Sequence, residues 1–356
     1  MNKPLSLHQF VTGAMPGNAI YNEAVIMRDA LRRWGFRAEI YAERIHPSLR
    51  GAARPYTRYR PNGEPVLFHY SLGSRLSDDL LQLSGPLILR YHNVTPPRLM
   101  AGMAPWLRDG AAKGRRDLPL FAARTSLALA DSAYNQRDLT AAGFERTAVL
   151  PLIQPEDLFQ AQPAPSFLAR FRDGRVNLLF VGRIAPNKRQ EDVMKTLYAY
   201  RQINPSARLL LAGSEGGAGM YGRWLRRFAR QYDLEKDVFF LGQVTQAELA
   251  ALYRASHIFV CMSEHEGFGN PLVESMRFDL PVMAYAAAAV PETLGGAGIL
   301  VKEKRYPVIA ETIHLLQTDE TFRQAVIAGQ RERAAAFQQK KLLAQFQTYV
   351  SQRHRK

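Results

Sequence analysis

The chain has 356 residues, enough for two domains rather than one. Apolar residues make up 47% and charged residues 22%, a globular composition that excludes an intrinsically disordered chain, and no window holds the roughly eighteen uninterrupted apolar residues of a spanning helix. The net charge of +15 leaves the fold open but predicts attraction to anionic surfaces: nucleic acid, acidic headgroups or phosphorylated substrates.

Along the chain, short apolar runs alternate with longer amphipathic segments, which predicts an α/β fold with parallel sheets. Leu5–Val11 reads as a strand. A glycine-bearing loop over Thr12–Asn18 follows, then a helix with Ala24, Met27, Leu31 and Trp34 on one face, stopped by Gly35. Ala38–Tyr41, Val66–Tyr70, Pro86–Tyr91, Leu127–Ala130 and Ala148–Leu152 are the further strands of the first half. The Pro-rich stretch Gln160–Pro165 breaks the rhythm and reads as a linker. A second set of strands covers Val176–Val181, Arg208–Ala212, Val238–Leu241, Ile258–Met262, Pro281–Ala284 and Ile299–Val301, with helices over Gln190–Gln202, Tyr221–Tyr232 and Gln246–Ala255. The expected domains are 1–160 and 166–333, with a last helical stretch over 334–356. Two doubly wound domains of this kind leave a cleft at the carboxyl ends of their sheets, where ligands bind.

The lone cysteine, Cys261, sits among Ile258, Phe259, Val260 and Met262 and reads as a small core residue, so no oxidising compartment is implied. Met1–Gly13 mixes polar residues into its apolar run and lacks a signal-type core. The expected location is the cytoplasm, with any membrane contact peripheral.

The segment richest in chemistry is Ser263–Met276, following a buried strand. Asn270 suits an N-cap and Pro271 a first helical residue, which places Glu274 in the first turn and Glu266 in the loop before it. Gly267 and Gly269 let backbone approach a ligand closely, and the free N–H groups of a helix start attract an anion such as a diphosphate. Two carboxylates so placed can accept hydrogen bonds from sugar hydroxyls. The plainer alternative is that Glu274 complements the helix dipole and Glu266 is solvated.

This segment resembles the GT-B retaining glycosyltransferases of family four, whose donor site carries two glutamates eight positions apart around a Gly-Phe-Gly and Pro-Leu core. The resemblance implies two Rossmann-like domains facing across a cleft. The first would bind the acceptor and the second the nucleotide sugar, with the last helix returning to the first domain. It gives Glu266 the donor sugar's hydroxyls and a catalytic part, and Glu274 the nucleotide ribose. Backbone at Gly267, Phe268, Gly269, Asn270, Pro271 and Leu272 would meet sugar and phosphates.

Upstream, Val181-Gly182-Arg183 ends a strand and Lys188 follows in the loop before a helix. Two cations there suit a departing pyrophosphate, and the resemblance assigns Arg183 and Lys188 that role. The family often has glycine after this lysine, where this chain has Arg189. In the first half, Pro16-Gly17-Asn18-Ala19 matches the family's glycine loop, which would bring Gly17 and Asn18 to the donor phosphate. Arg90-Tyr91-His92-Asn93-Val94-Thr95-Pro96 resembles a His-Asn strand end of members that build bacterial surface polysaccharides, which implies a catalytic position for His92. Ala130-Asp131-Ser132-Ala133-Tyr134-Asn135 resembles a later motif shaping the cleft.

Neither Asp-x-Asp, His-Glu-x-x-His nor paired cysteines occur, so no metal and no cofactor are expected. The glycine-rich run Gly213–Gly219 lacks the Gly-Lys-Ser/Thr ending of a P-loop and reads as a strand-to-helix loop. With both glutamates assigned to binding, retention is expected through a same-face displacement in which the donor phosphate takes the acceptor's proton. GDP-mannose is the first guess for the donor, with UDP-sugars open. A lipid-linked or glycan acceptor in bacterial surface polysaccharide or lipopolysaccharide synthesis is the expected partner. Arg108, Lys113, Arg115 and Arg116, beside Leu99, Met100, Met103, Trp106 and Leu107, suit an anionic inner-membrane surface. The same residues fit a helix packed on its sheet with a wet basic edge. A nucleotide-sugar epimerase of the same fold, a nucleic-acid-binding protein and an inactive scaffold are the rivals. No interleaved aromatic and basic reader motif supports nucleic acid.

Overall fold

A computed structural model describes residues 5–351 and divides the chain into two compact units. The first unit comprises residues 1–97, 106–155 and 337–356, and the second comprises 98–105 and 156–336. The expected reading of residues 1–4 and the last part of the terminal helix, 352–356, lie outside the described residues.

The first unit is built on seven parallel strands: β1 (His8–Ala14), β2 (Ile40–Ile45), β3 (Arg54–Pro55), β4 (Val66–Tyr70), β5 (Leu87–Tyr91), β6 (Thr125–Ala130) and β7 (Thr147–Val149). Their order is β3-β2-β1-β4-β5-β6-β7. All five residues of β4 and of β5 are buried, as expected of strands covered on both faces. Adjacent strands run outward in opposite senses from β1 and β4, and ligands of such sheets bind at the carboxyl ends beside that reversal.

The second unit has six parallel strands: β8 (Asn177–Val181), β9 (Arg208–Ala212), β10 (Val238–Gly242), β11 (Ile258–Cys261), β12 (Val282–Tyr285) and β13 (Ile299–Val301). The order β10-β9-β8-β11-β12-β13 puts its reversal between β8 and β11.

The helix Gln339–Ser351 belongs to the first unit. It drives Leu342, Phe346 and Val350 into a core shared with Leu7, Met27, Leu31, Leu67 and Ile88, and Phe346 lies 5.9 Å from the Trp34 ring.

Three expectations change. Gln160–Pro165 is no linker: Asp157–Gln160 is helical, and Pro165 opens the helix Pro165–Phe171, where its missing N–H costs nothing. The crossing between units falls at Pro155/Glu156 instead. Residues 98–105 group with the second unit through an Ala104 N–H donating to the Gly217 carbonyl at 2.7 Å, and the chain returns to the first unit at Phe337. Strand β3 escaped notice because two residues, one charged, make no apolar run. The first strand begins at His8 rather than Leu5, which leaves Ser6 in a lone bridge to Arg37.

Candidate active site

The carboxyl ends of β8 and β11 gather the expected donor residues of the second unit. β8 runs into Gly182 and Arg183, and a 3-10 turn over Pro186–Lys188 delivers Lys188. β11 runs into Ser263–Gly269 and the helix Asn270–Arg277. Across 78 positions of sequence, Lys188 Nζ donates to Glu266 Oε2 at 2.5 Å. Both side chains are largely withdrawn from solvent, at 20% and 11% exposure. Arg183, by contrast, has no ion-pair partner among the described residues. It stands at the surface of the loop, and the protein around its guanidinium lowers its pKa by desolvation with no carboxylate to offset it.

The loop that carries Glu266 is tied down on both sides. The Asn187 amide donates to the His265 carbonyl at 3.1 Å, the Glu264 N–H to the Asn187 carbonyl at 2.9 Å, and the Thr293 hydroxyl to the Phe268 carbonyl at 2.6 Å. Phe268 and Leu272 are buried, and so contribute backbone and shape rather than side-chain chemistry.

Two details of the helix start differ from expectation. Gly269, not Asn270, occupies the N-cap position, with φ +91°, and Asn270 is already helical. The helix therefore starts one residue early, and no acidic residue falls in its first turn. Glu274 sits deeper, where it accepts a hydrogen bond from the Tyr253 hydroxyl at 2.6 Å. Burial raises its carboxyl pKa, against the opposing Tyr253 hydrogen bond and the Arg277 charge. The left-handed turn at Gly269 opens this helix, and a helix start is a place that attracts an anion.

Arg189, where the resembled family often has glycine, takes the left-handed conformation at φ 51° and ψ 47°. The departure is accommodated by charge: its guanidinium meets Glu191 at 3.0 Å and Asp192 and Glu264 at 3.2 Å each. Asp192 in turn accepts from Lys304 at 2.7 Å, Tyr306 at 2.8 Å and Lys195 at 3.1 Å. Burial works to raise the Asp192 carboxyl, but these donors outweigh it and hold its pKa at about 2. Tyr253 and this network were invisible to sequence reading, since their members are drawn from several separate elements.

Gly17, Asn18 and His92 belong to the first unit. Gly17 has φ +73°, and Asn18 caps the helix Ala19–Arg33, its Oδ1 accepting from the Ile20 and Tyr21 N–H groups at 2.9 and 3.1 Å. That cap commits the Asn18 side-chain oxygen to the helix start. His92 lies just past β5 with its ring 2% exposed, Nδ1 3.0 Å from Asp131 Oδ2 and Nε2 2.9 Å from His69 Nδ1. Both nitrogens are thus taken up by protein groups. Cys261 is buried, as expected, and burial pushes its thiol up to about 11.

The basic cluster around Lys113 is less free than its sequence suggests. Met100, Met103 and Leu107 are buried, and Lys113 is paired with Asp78 and Asp117. Exposed apolar surface is left at Trp106, whose ring carries Arg44 at 4.5 Å, and at Leu120.

Residues 167–333 match the family described as Glycosyl transferases group 1. A solved structure of Anabaena HepE with UDP-glucose superposes at a TM-score of 0.76 over 98% of this chain and 100% of its own, at 19% identity. The lipopolysaccharide-biosynthesis glycosyltransferase WaaG superposes at 0.71 over 95% of this chain and 98% of its own, at 14% identity. The fold is GT-B. In sequence, the D-inositol 3-phosphate glycosyltransferase of Stackebrandtia nassauensis is 28% identical over 56% of this chain and 47% of its own length. The O-antigen chain mannosyltransferase B of Escherichia coli is 29% identical over 45% and 41%. The GDP-mannose:cellobiosyl-diphosphopolyprenol alpha-mannosyltransferase of Xanthomonas campestris is 30% identical over 39% and 37%. The chain spans less than half the length of each of these curated relatives.

Proposed function

We propose that this GT-B chain is a retaining glycosyltransferase that needs no metal and moves a sugar, mannose from GDP-mannose in the first instance, to a lipid-linked or glycan acceptor in bacterial surface-glycan synthesis. The observation that carries the reading is the meeting of Lys188 and Glu266 at the β8/β11 reversal, beside the uncompensated Arg183 and the Gly269 helix start. Lys188 and Arg183 supply positive charge for a diphosphate, and a glutamate withdrawn from solvent suits sugar hydroxyls. Two of the relatives above are named as mannosyltransferases, which favours mannose.

In the proposed reaction the anomeric C–O bond to the diphosphate breaks and the acceptor oxygen bonds the same face of that carbon. The acceptor's proton passes to the departing phosphate oxygen. Arg183 and Lys188 stabilise the charge that collects there, the part a bound Mg²⁺ plays in other sites. Lys188 would exchange part of its contact with Glu266 for the phosphate, leaving the carboxylate to accept from the sugar. The protein would act from the cytoplasm, peripheral on the inner membrane surface; no helix among the described residues is long and apolar enough to cross a membrane.

The test is binding of GDP, UDP, ADP and their sugar conjugates without metal, by thermal shift or calorimetry, on wild type and Glu274→Ala. Selective stabilisation by a guanine nucleotide and its mannose conjugate, lost in the variant, is expected. Selection of a uridine nucleotide would reassign the donor, and silence with every nucleotide would end the reading.

A further inference from the structure

Six polar side chains of the first unit close on one another between its sheet and the helix Ala19–Arg33. They are Gln9 on β1, Glu23 on the helix Ala19–Arg33, His69 on β4, Arg90 on β5, His92 just past it and Asp131 just past β6, all of them buried. Arg90 lays Nε and Nη2 on the Glu23 carboxylate at 3.1 and 2.8 Å and reaches Asp131 Oδ1 at 2.7 Å. The Ile153 N–H adds a bond to Glu23 Oε1 at 2.8 Å. The Arg90 guanidinium thus faces both carboxylates.

The hydrogens follow from donor and acceptor chemistry. Gln9 Nε2 donates to the Ala24 carbonyl at 2.9 Å, so the atom it turns to His69 is its amide oxygen, which only accepts. His69 Nε2 therefore carries a hydrogen. Asp131 Oδ2 also only accepts, so His92 Nδ1 carries one too. Two neutral rings oriented in this way would point bare lone pairs, on His69 Nδ1 and His92 Nε2, at each other across 2.9 Å. The rings are parallel within 3° with centroids 5.2 Å apart, a separation the facing nitrogens span end to end, so the contact lies in the ring plane. Something positive has to sit between them.

Glu23 Oε2 stands 3.8 and 3.6 Å from the same two nitrogens, a triangle that would also admit a divalent ion. Charge decides between the two. Arg90, Glu23 and Asp131 sum to one negative charge in a wholly buried place. One proton brings the set to neutrality, whereas a divalent ion leaves an unpaired buried cation beside a guanidinium.

We infer that the His69–His92 pair holds one proton more than two neutral imidazoles and acts as a buried monocation, which with Arg90 balances Glu23 and Asp131. The burden falls on the His92 side, because burial, reinforced by His92 and Arg90, pushes the His69 pKa well down. His92 is then a positioning residue and not a proton acceptor: both its nitrogens are donors in use. The charge fastens β1, β4, β5 and the ends of β5 and β6 together just where Asn93 turns at φ +70°. Gln9 is the cause of the charge, since it alone obliges His69 to keep its hydrogen on Nε2.

The experiment is ¹⁵N NMR of the full chain with labelled histidine at neutral pH, the two rings identified by the signals lost in His69→Gln and His92→Gln, with metal analysis of the same sample. Three protonated nitrogens among the four of the pair are expected, and no stoichiometric metal. Two protonated nitrogens in the wild type, or one equivalent of a transition metal that His69→Gln removes, would overturn the proposal. Gln9→Met keeps the volume but removes the acceptor; His69 can then turn its hydrogen toward His92, and the number is expected to fall to two. Three in Gln9→Met would remove Gln9 as the cause.

Discussion

At the scale of the residue, the proposed donor site rests on two charges that neutralise each other. Lys188 and Glu266 meet at 2.5 Å, and each is the other's nearest compensation. Removing one leaves a partly buried charge unpaired, so a substitution reports that penalty as well as the lost ligand contact. For this reason Glu266→Gln is a cleaner probe than Glu266→Ala. A charge-assisted hydrogen bond contributes roughly 1.5–3 kcal/mol. Lys188→Met is accordingly expected to weaken nucleotide-diphosphate binding by about tenfold to a hundredfold, measured by calorimetry, while the free nucleoside loses nothing. Glu266→Ala is expected to keep less than about a tenth of wild-type glycosylation. Equal losses for nucleoside and diphosphate with Lys188→Met would place the lysine away from the phosphates. Sequence singled out Glu266 by the Gly-Phe-Gly and Pro-Leu that follow it and Lys188 by the Val-Gly-Arg strand end before it. What sequence could not give was their pairing, or the environment of His92. Gln9, Glu23, His69, Arg90 and Asp131 come from separate elements, and only the register of β1, β4, β5 and β6 brings them together.

At the scale of the element, the start of the helix Asn270–Arg277 is set by one backbone angle. Gly269 lies at φ +91°, and a Cβ built there would fall 2.8 Å from Leu272 Cδ1. Gly269→Ala therefore meets conformational strain and a clash with a buried side chain. A residue forced into this region costs of order 1–3 kcal/mol, and the expected outcome is a lower midpoint in urea unfolding together with weaker nucleotide binding. If stability falls and binding is unchanged, the turn serves the core and not the ligand. Sequence placed this element within one residue but misjudged its cap: Asn270 is a fine capping residue in general, and nothing local reveals that the chain turns left one position earlier. The same limit explains Gln160–Pro165. Proline punctuates linkers and opens helices alike, and only the packing of Pro165–Phe171, where the Ala164 N–H donates to the Ala247 carbonyl at 2.9 Å, shows which. The long parallel strands were legible because burial on both faces writes them as unbroken apolar runs.

At the scale of the whole molecule, charge acts in two ways. The excess of +15 favours anionic membranes, but Lys113 is spent on Asp78 and Asp117, and Met100, Met103 and Leu107 are buried. Vesicle binding is therefore expected to be salt-sensitive and to fall when exposed Trp106 and Leu120 are both changed to alanine; co-sedimentation with anionic and neutral vesicles reads this directly. Retention on neutral vesicles at high salt would point to an apolar anchor instead. Charge also sets stability toward acid. Asp192, its carboxylate 1% exposed, is clamped by Lys304, Tyr306 and Lys195 between the helix Gln190–Arg201 and the approach to the helix Tyr306–Thr318. Its folded pKa of about 2 lies below the ordinary 3.8, so the folded state prefers the ionised form. The stabilisation is fully present above pH 4 or so, and it is lost as the pH falls from about 4 towards 2. A shift of this size is worth about 2 kcal/mol. Urea unfolding of wild type and Asp192→Asn from neutral pH downward should show a gap of that order at pH 6 that closes on acidification. Other carboxylates titrate in both proteins and cancel in the difference. Two curves that stay parallel from pH 6 to pH 2.5 would mean that Asp192 binds its proton equally well folded and unfolded, and that Lys304 and Tyr306 hold their helix by packing alone.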